Sequence, residues 1–191
     1  EDGYDRLALG QGADELFGGY TYYKDLEDNA PLHEELYRSV SSLHNINLQR
    51  VDRLTMAHSI EGRVPFLDLE MITLAQQIPA AWKIRTGQNG QPVEKWILRK
   101  AFEDLLPHDI VWRTKEQFDE GSGTTGVMDG LSERFLPAAD VPSYAAAHPR
   151  DRLRSPEEAA YHRLLCDAYA DPDCILSNVA RWTEDRLHAD A

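Results

Sequence analysis

Cysteine is scarce in this chain of 191 residues, with only Cys166 and Cys174 present. Two thiols cannot build the disulfide framework of a small secreted scaffold, and they fit a reducing, cytoplasmic setting. No apolar run approaches the ~18–20 residues needed to span a bilayer, and the first residues carry no signal-peptide pattern. Basic residues are in deficit, 20 against 33 acidic, for a net charge of −13. That balance argues against non-specific binding to nucleic acid or to an anionic membrane, and leaves room for a small basic pocket. The 7 histidines show no metal-ligand spacing. His162, Cys166 and Cys174 lack a fourth ligand for zinc. There is no internal repeat, no low-complexity tract, and no Ser/His/Asp nucleophile elbow.

What remains is ordinary globular usage, 42% hydrophobic and 28% charged, enough for one domain or slightly more. Residues 6–9, Arg-Leu-Ala-Leu, read as a short buried strand broken by Gly10-Gln11-Gly12. Leu32, Leu36, Val40, Leu43 and Ile46 recur every three or four residues, which predicts a helix, continued or restarted through Leu48, Val51, Leu54 and Thr55. Val64 precedes Pro65 and should open out of any helix. Asp68 reads as an N-cap for a helix closed by Pro79. Val93, Ile97, Ala101 and Leu105 predict a core-facing helix stopped by Pro107, with Arg99/Glu103 and Lys100/Asp104 as i,i+4 ion pairs. Residues 113–130 are glycine-rich and read as a loop, and 137–151 as irregular. Ser155-Pro156-Glu157-Glu158 is a strong helix start, for a helix running to Tyr169. A last helix is expected over 174–187. The chain thus reads as mainly α with one short strand. That strand cannot satisfy its own backbone groups, and the chain begins at Glu1. Both point to a fragment whose remaining sheet lies upstream.

Three clusters could carry chemistry. In Leu9-Gly10-Gln11-Gly12-Ala13-Asp14-Glu15, glycines between a strand and a helix let backbone N–H groups approach phosphates, and Asp14 could hold Mg²⁺ against them. An ordinary strand–turn–helix explains the same spacing. Arg113-Thr114-Lys115-Glu116-Gln117-Phe118, followed by Gly121-Ser122-Gly123, could aim a point charge at a phosphate or oxyanion. A solvated basic pair explains it equally. Asp52, Arg53, Glu61 and Arg63 could form an internal ion network or shape a phosphate pocket; for Glu61 and Arg63 the network is the stronger reading, since buried charges are normally paired.

Together these segments resemble the glutamine-dependent asparagine synthetases. The carriers are Gly10-Gln11-Gly12-Ala13-Asp14-Glu15-Leu16-Phe17-Gly18-Gly19-Tyr20; Arg50-Val51-Asp52-Arg53 with Met56 to Asp68; Glu94-Lys95-Trp96-Ile97-Leu98-Arg99; and Arg113 to Phe118 with Gly121 and Gly123. The likeness covers about residues 6–126. It implies an adenine nucleotide α-hydrolase-like α/β fold. Residues 1–130 would be the C-terminal part of the synthetase domain, and 131–191 a helical extension. It implies a ligase that uses ATP and Mg²⁺ to convert aspartate to an aspartyl-adenylate and pyrophosphate, with ammonia released from glutamine as the attacking amine. On that likeness Gly10, Gly12 and Asp14 would bind nucleotide, Asp14 would ligate Mg²⁺, and Lys115 would stabilise the reacting charge.

Gln11 departs from the family pattern, because it stands where an acidic residue is the candidate base for ammonia. An amide can orient an amine but cannot take its proton at neutral pH. Leu9 replaces the usual serine. The upstream Ser-Gly-Gly-x-Asp-Ser phosphate loop and the N-terminal glutaminase cysteine are not in this sequence, so the chain alone is expected to be inactive. Two alternatives stand beside asparagine synthesis: a related amide synthetase or cyclase with another acceptor and amine, and a non-catalytic helical interaction module.

Overall fold

The computed structural model describes residues 3–26, 29–87, 89–116 and 125–177, the side chains of the last stretch from residue 130. The described residues divide into two compact units, one up to Lys115 and the other from Glu116 onward.

In the first unit, strand β1 (Arg6–Ala8) leads through the Gly10–Gly12 turn into a five-residue helix, α1 (Ala13–Phe17). Gly12 is required there. Its φ is +92°, and a Cβ would lie 2.3 Å from Leu67 Cδ2. Helix α2 (Asn29–Ser42) follows a 3₁₀ turn at 21–25, and α3 (Asn47–Met56) follows a second at 43–45. Leu32, Leu36 and Leu43 are buried, as their spacing predicts. Strand β2 (Glu61–Arg63) then pairs with β1 in parallel, Arg6 opposite Glu61 and Ala8 opposite Arg63.

Strand β1 differs from its sequence-based expectation in two respects. The strand at 6–8 has a partner inside this chain, and it is exposed along its whole length. The partner was hidden because Glu-Gly-Arg has neither alternation nor β-branched residues.

Asp68 caps α4 (Leu69–Gln77), its Oδ1 accepting from the Glu70 N–H at 2.8 Å, and Pro79 opens a short α5 (Ala80–Lys83). Strands β3 (Arg85–Thr86) and β4 (Pro92–Val93) form a small antiparallel hairpin. The described residues therefore hold four short strands among helices, where the sequence suggested one.

Helix α6 spans only Trp96–Phe102, because Val93 belongs to β4, and a short α7 (His108–Val111) follows Pro107. Ile97 is half-buried, and Ala101 and Leu105 are exposed, so the predicted apolar stripe is not core. The expected i,i+4 pairs are replaced by Arg99–Glu94 and Lys100–Glu103. Asp52, Arg53, Glu61 and Arg63 are exposed and pair on the surface, Arg53 with Asp52 and Arg63 with Glu61, and so form no buried network.

The unit has two apolar centres. Tyr23, Leu32, Leu36 and Ala80 make one; Leu16, Phe17 and Ala75, with Phe66 edge-on to Phe17, make the other.

In the second unit α8 (Thr125–Phe135) and α9 (Val141–Ala147) are helical where loop and irregular chain were expected. Residues 117–124 of the expected loop lie outside the described residues. Helix α10 (Pro156–Ala168) begins as read from the sequence: Ser155 Oγ accepts the Glu158 N–H at 3.1 Å. Of the expected final helix, α11 (Asp173–Leu176) is described, and 178–187 lie outside the described residues. Leu136, Ala159 and Ala160 form the core of this unit. Beside it, His162 bonds Tyr144 Oη at 2.9 Å through Nδ1 and Asp151 at 3.1 Å through Nε2. Cys166 Sγ is 3.7 Å from His162 Nδ1, and burial pushes its thiol pKa up, which suits a packed thiol more than a reactive one. Both cysteines are free thiols.

Candidate active site

Asp14 stands in the first turn of α1 and is the point on which two distant lysines converge. Lys95 Nζ donates to its Oδ1 at 2.8 Å, and Lys115 Nζ to its Oδ2 at 3.1 Å. All three side chains are between 19% and 25% exposed, so these are partly desolvated ion pairs. Burial by itself would raise the Asp14 carboxyl pKa. Lys95 and Lys115 outweigh it and hold the group below its ordinary value, so Asp14 is an anion at neutral pH.

Backbone geometry makes this meeting possible. Gly19 closes α1 by donating its N–H to the Asp14 carbonyl at 2.7 Å. A Cβ on Gly19 would sit 1.9 Å from Asp14 Oδ1 and 2.8 Å from its Cα, so only glycine leaves the carboxylate in place. On the other flank Lys95 has a left-handed backbone, φ +52°, unusual for a side chain of this size. It caps α6 in that conformation while its ammonium reaches Asp14.

Behind Asp14, Glu15 is 1% exposed. It accepts from Tyr20 Oη at 2.5 Å and from Asn47 Nδ2 at 2.8 Å, which ties α1 to α3. Burial, then the bonded Glu15, drives the Tyr20 phenol pKa up, so it stays a neutral donor.

Lys95 and Lys115 also line a cavity of about 280 Å³, shared with Arg99 and Arg113 and floored by apolar side chains that include Phe66 and Leu98. Four cations therefore gather in one recess of a chain whose net charge is −13. Such a recess can take up an anion, and Asp14 can offer a carboxylate to a cation carried with it.

Of the residues singled out from sequence, Asp14 and Lys115 are brought together. Gly10, Gln11 and Gly12 form the turn that leads into α1, with the Gly10 carbonyl accepting from the Ala13 N–H. Lys95 was missed as a site residue although it lies inside a quoted motif. The available signal was a lysine directly after Glu94 at a helix start, and nothing local shows that it faces Asp14, 81 positions away. Among the described residues no group of three or more His, Cys, Asp or Glu could hold a metal ion. No helix among them is long and apolar enough to cross a membrane.

The asparagine synthase family model matches residues 24–168. The chain belongs to the asparagine synthase family. It is 36% identical over 174 residues to the asparagine synthetase (glutamine-hydrolyzing) of Sandersonia aurantiaca, a match covering 87% of this chain and 33% of that protein. Asparagine synthetase (glutamine-hydrolyzing) 1 of Saccharomyces cerevisiae is 34% identical over 190 residues, covering 94% and 33%. Asparagine synthetase (glutamine-hydrolyzing) 3 of Arabidopsis thaliana is 40% identical over 174 residues, covering 87% and 30%. The chain spans about a third of the length of these curated relatives. Lys95 and Lys115 fall inside the family match and Asp14 precedes it. The match also extends well past the quoted motifs, into the second unit.

Proposed function

We propose that this chain is the C-terminal part of the synthetase domain of a cytoplasmic, ATP-dependent ligase that makes asparagine from aspartate and glutamine-derived ammonia. In this reading residues 1–130 contribute to an adenine nucleotide α-hydrolase-like α/β domain, and 131–191 are a helical extension. The observation that carries it is the convergence of Lys95 and Lys115 on an ionised Asp14 beside a four-cation recess, in a chain of this family.

The donor set suits a metal held jointly with phosphates. Mg²⁺ in nucleotide sites takes one or two carboxylates and completes its shell with phosphate oxygens and water. Asp14 offers one carboxylate kept anionic, and the two ammoniums are placed to turn from it to phosphate oxygens. Gly10 and Gly12 would let the turn approach the nucleotide closely. When bound, the metal offsets the repulsion between an anionic carboxylate and an anionic phosphate. Lys115 and Lys95 then supply fixed positive charge for the departing phosphates and the oxyanion, an electrostatic role that needs no proton transfer.

Lys115→Ala in the full-length ligase should lower kcat by roughly 10²–10³, the scale of losing one preorganised donor. The KM for ATP should move much less, because a group acting in the transition state does not set ground-state affinity. Steady-state pyrophosphate release checks this, and a kcat within twofold of wild type would overturn the assignment.

Gln11 favours a second reading, a ligase of the same fold with another acceptor or amine, because an amide cannot accept the proton of incoming ammonia. Under asparagine synthesis, pyrophosphate release requires aspartate and Gln11→Glu preserves or raises the ammonia-dependent rate. Turnover that ignores aspartate and responds to another carboxylate would choose the second reading.

A further inference from the structure

Arg99 lines the recess with its side chain only 10% exposed, and all three of its guanidinium nitrogens are engaged. Nε donates to the Glu94 carbonyl at 2.9 Å, and Nη2 donates to Glu94 Oε1 at 2.5 Å. Nη1 donates to two further carbonyls, Val111 at 2.5 Å and Arg113 at 2.9 Å. Glu94 is 4% exposed, and its other oxygen is paired with Lys24 at 2.7 Å. Burial would push its carboxyl pKa up. The bond from Lys24 and the charge of Arg99 hold it below its ordinary range, so an ionised Glu94 anchors the guanidinium.

Two of these contacts border the lysines on Asp14. The Glu94 carbonyl belongs to the peptide that leads into Lys95, the residue with the left-handed backbone. The Arg113 carbonyl lies two residues before Lys115, in a stretch that is neither helix nor strand. Two extended residues span at most about 7 Å, so fixing that carbonyl confines the Lys115 backbone. No ladder does this, and the planar guanidinium fork does it instead.

We infer that Arg99, anchored by Glu94, is a positioning residue that holds the 111–113 backbone so that Lys115 stays on Asp14. Its bearing on catalysis rests on the ligase reading above; its structural action does not. The role differs from general packing in one respect. Loss of the fork should release Lys115 selectively, while the buried Lys83 at the end of α5 stays protected.

The test is competitive acylation of lysines with acetic anhydride, read lysine by lysine by mass spectrometry on the full-length protein. Arg99→Lys keeps the charge but cannot bond three carbonyls and a carboxylate in one plane. It should raise Lys115 labelling relative to Lys100 by roughly fivefold, on the scale of one lost charge-assisted contact, and leave Lys83 labelling unchanged. Asp14→Asn frees Lys115 directly and should raise its labelling similarly. Adding Arg99→Lys to Asp14→Asn should then add little, because both act through one contact. Glu94→Gln should reproduce the Arg99→Lys pattern more weakly. Three results would overturn the inference: Lys115 labelling within twofold of wild type in Arg99→Lys, an additive double variant, or Lys83 rising in step with Lys115. An Arg99→Lys chain that fails to fold would assign Arg99 to general stability and overturn it too. Because none of these readouts needs ATP or turnover, a negative result falls on the positioning role, and the ligase reading is judged separately by pyrophosphate release.

Discussion

Lys83 is fully buried, and its ammonium nitrogen has no hydrogen-bond partner among the described residues. Burial lowers its pKa from the ordinary 10.5 to about 8. The unfolded chain therefore holds that proton more tightly than the fold does. The full penalty stands below pH 8 and is relieved as pH rises from about 8 to 10.5. Lys83→Met should stabilise the chain by roughly 3 kcal/mol at neutral pH. Urea unfolding at pH 7 and pH 10 checks this, and the gain should be smaller at pH 10. Asp14 carries the opposite sign. Its folded pKa lies below 3.8, so its contribution is present above that value and is lost as pH falls through the folded one. Asp14→Asn should therefore blunt the loss of stability on acidification below pH 4. Gly19→Ala adds a Cβ 2.8 Å from the Asp14 backbone. It should destabilise by about 1–3 kcal/mol and raise Lys115 acylation, because the carboxylate must leave its place.

Among the helices, α2 and α6 show how similar apolar spacing leads to different burial. Both have a hydrophobic residue every three or four positions. Leu36 in α2 is 0% exposed within the Tyr23–Leu32–Ala80 centre, whereas Ile97 in α6 is only half-buried. Leu36→Ala should cost about 2–5 kcal/mol, and Ile97→Ala should fall below that range, because a partly solvated site leaves a smaller cavity. Chemical denaturation of the two variants side by side tests the ordering. Helix α10 in the second unit is held at its start by Ser155 Oγ on the Glu158 N–H, while Glu158 accepts in return from the Arg154 N–H at 2.8 Å. Ser155→Ala should cost about 1 kcal/mol. Amide hydrogen exchange should show it as faster exchange in the first turn of α10, with α2 unaffected.

For the molecule as a whole, charge and an uncovered sheet set the expectations. A net charge of −13 opposes anion binding in general, while the recess around Lys95, Arg99, Arg113 and Lys115 concentrates the cations. Anion uptake should therefore be local and weakened by salt. Strands β1 and β2 form a two-stranded parallel sheet whose residues stay exposed or half-exposed, and Leu7, Leu54 and Met56 are exposed at 46%, 63% and 55%. Parallel sheets are ordinarily covered on both faces. We therefore expect the 191-residue chain alone to show no ATP-dependent pyrophosphate release above a Lys115→Ala control. Release above that control would show that these two strands suffice.

The order of the amino acids by itself determined what depends on neighbours within a few positions. It set the Leu32–Leu36 face, the Asp68 and Ser155 caps, the turn at Gly10–Gly12, and the motifs that carry the family. Each follows from helical periodicity, local side-chain-to-backbone bonds or backbone sterics. Tertiary structure alone decided which distant groups meet. It paired Arg6–Ala8 with Glu61–Arg63, turned Arg99 back to Glu94 instead of forward to Glu103, and brought Lys95 and Lys115 to Asp14 across 81 and 101 positions. Nothing in a local pattern encodes such meetings. They form only when packing elsewhere repays the entropy of closing the intervening loop, and here that packing is the burial of α1, α2 and α4 around Leu16, Phe17 and Leu36.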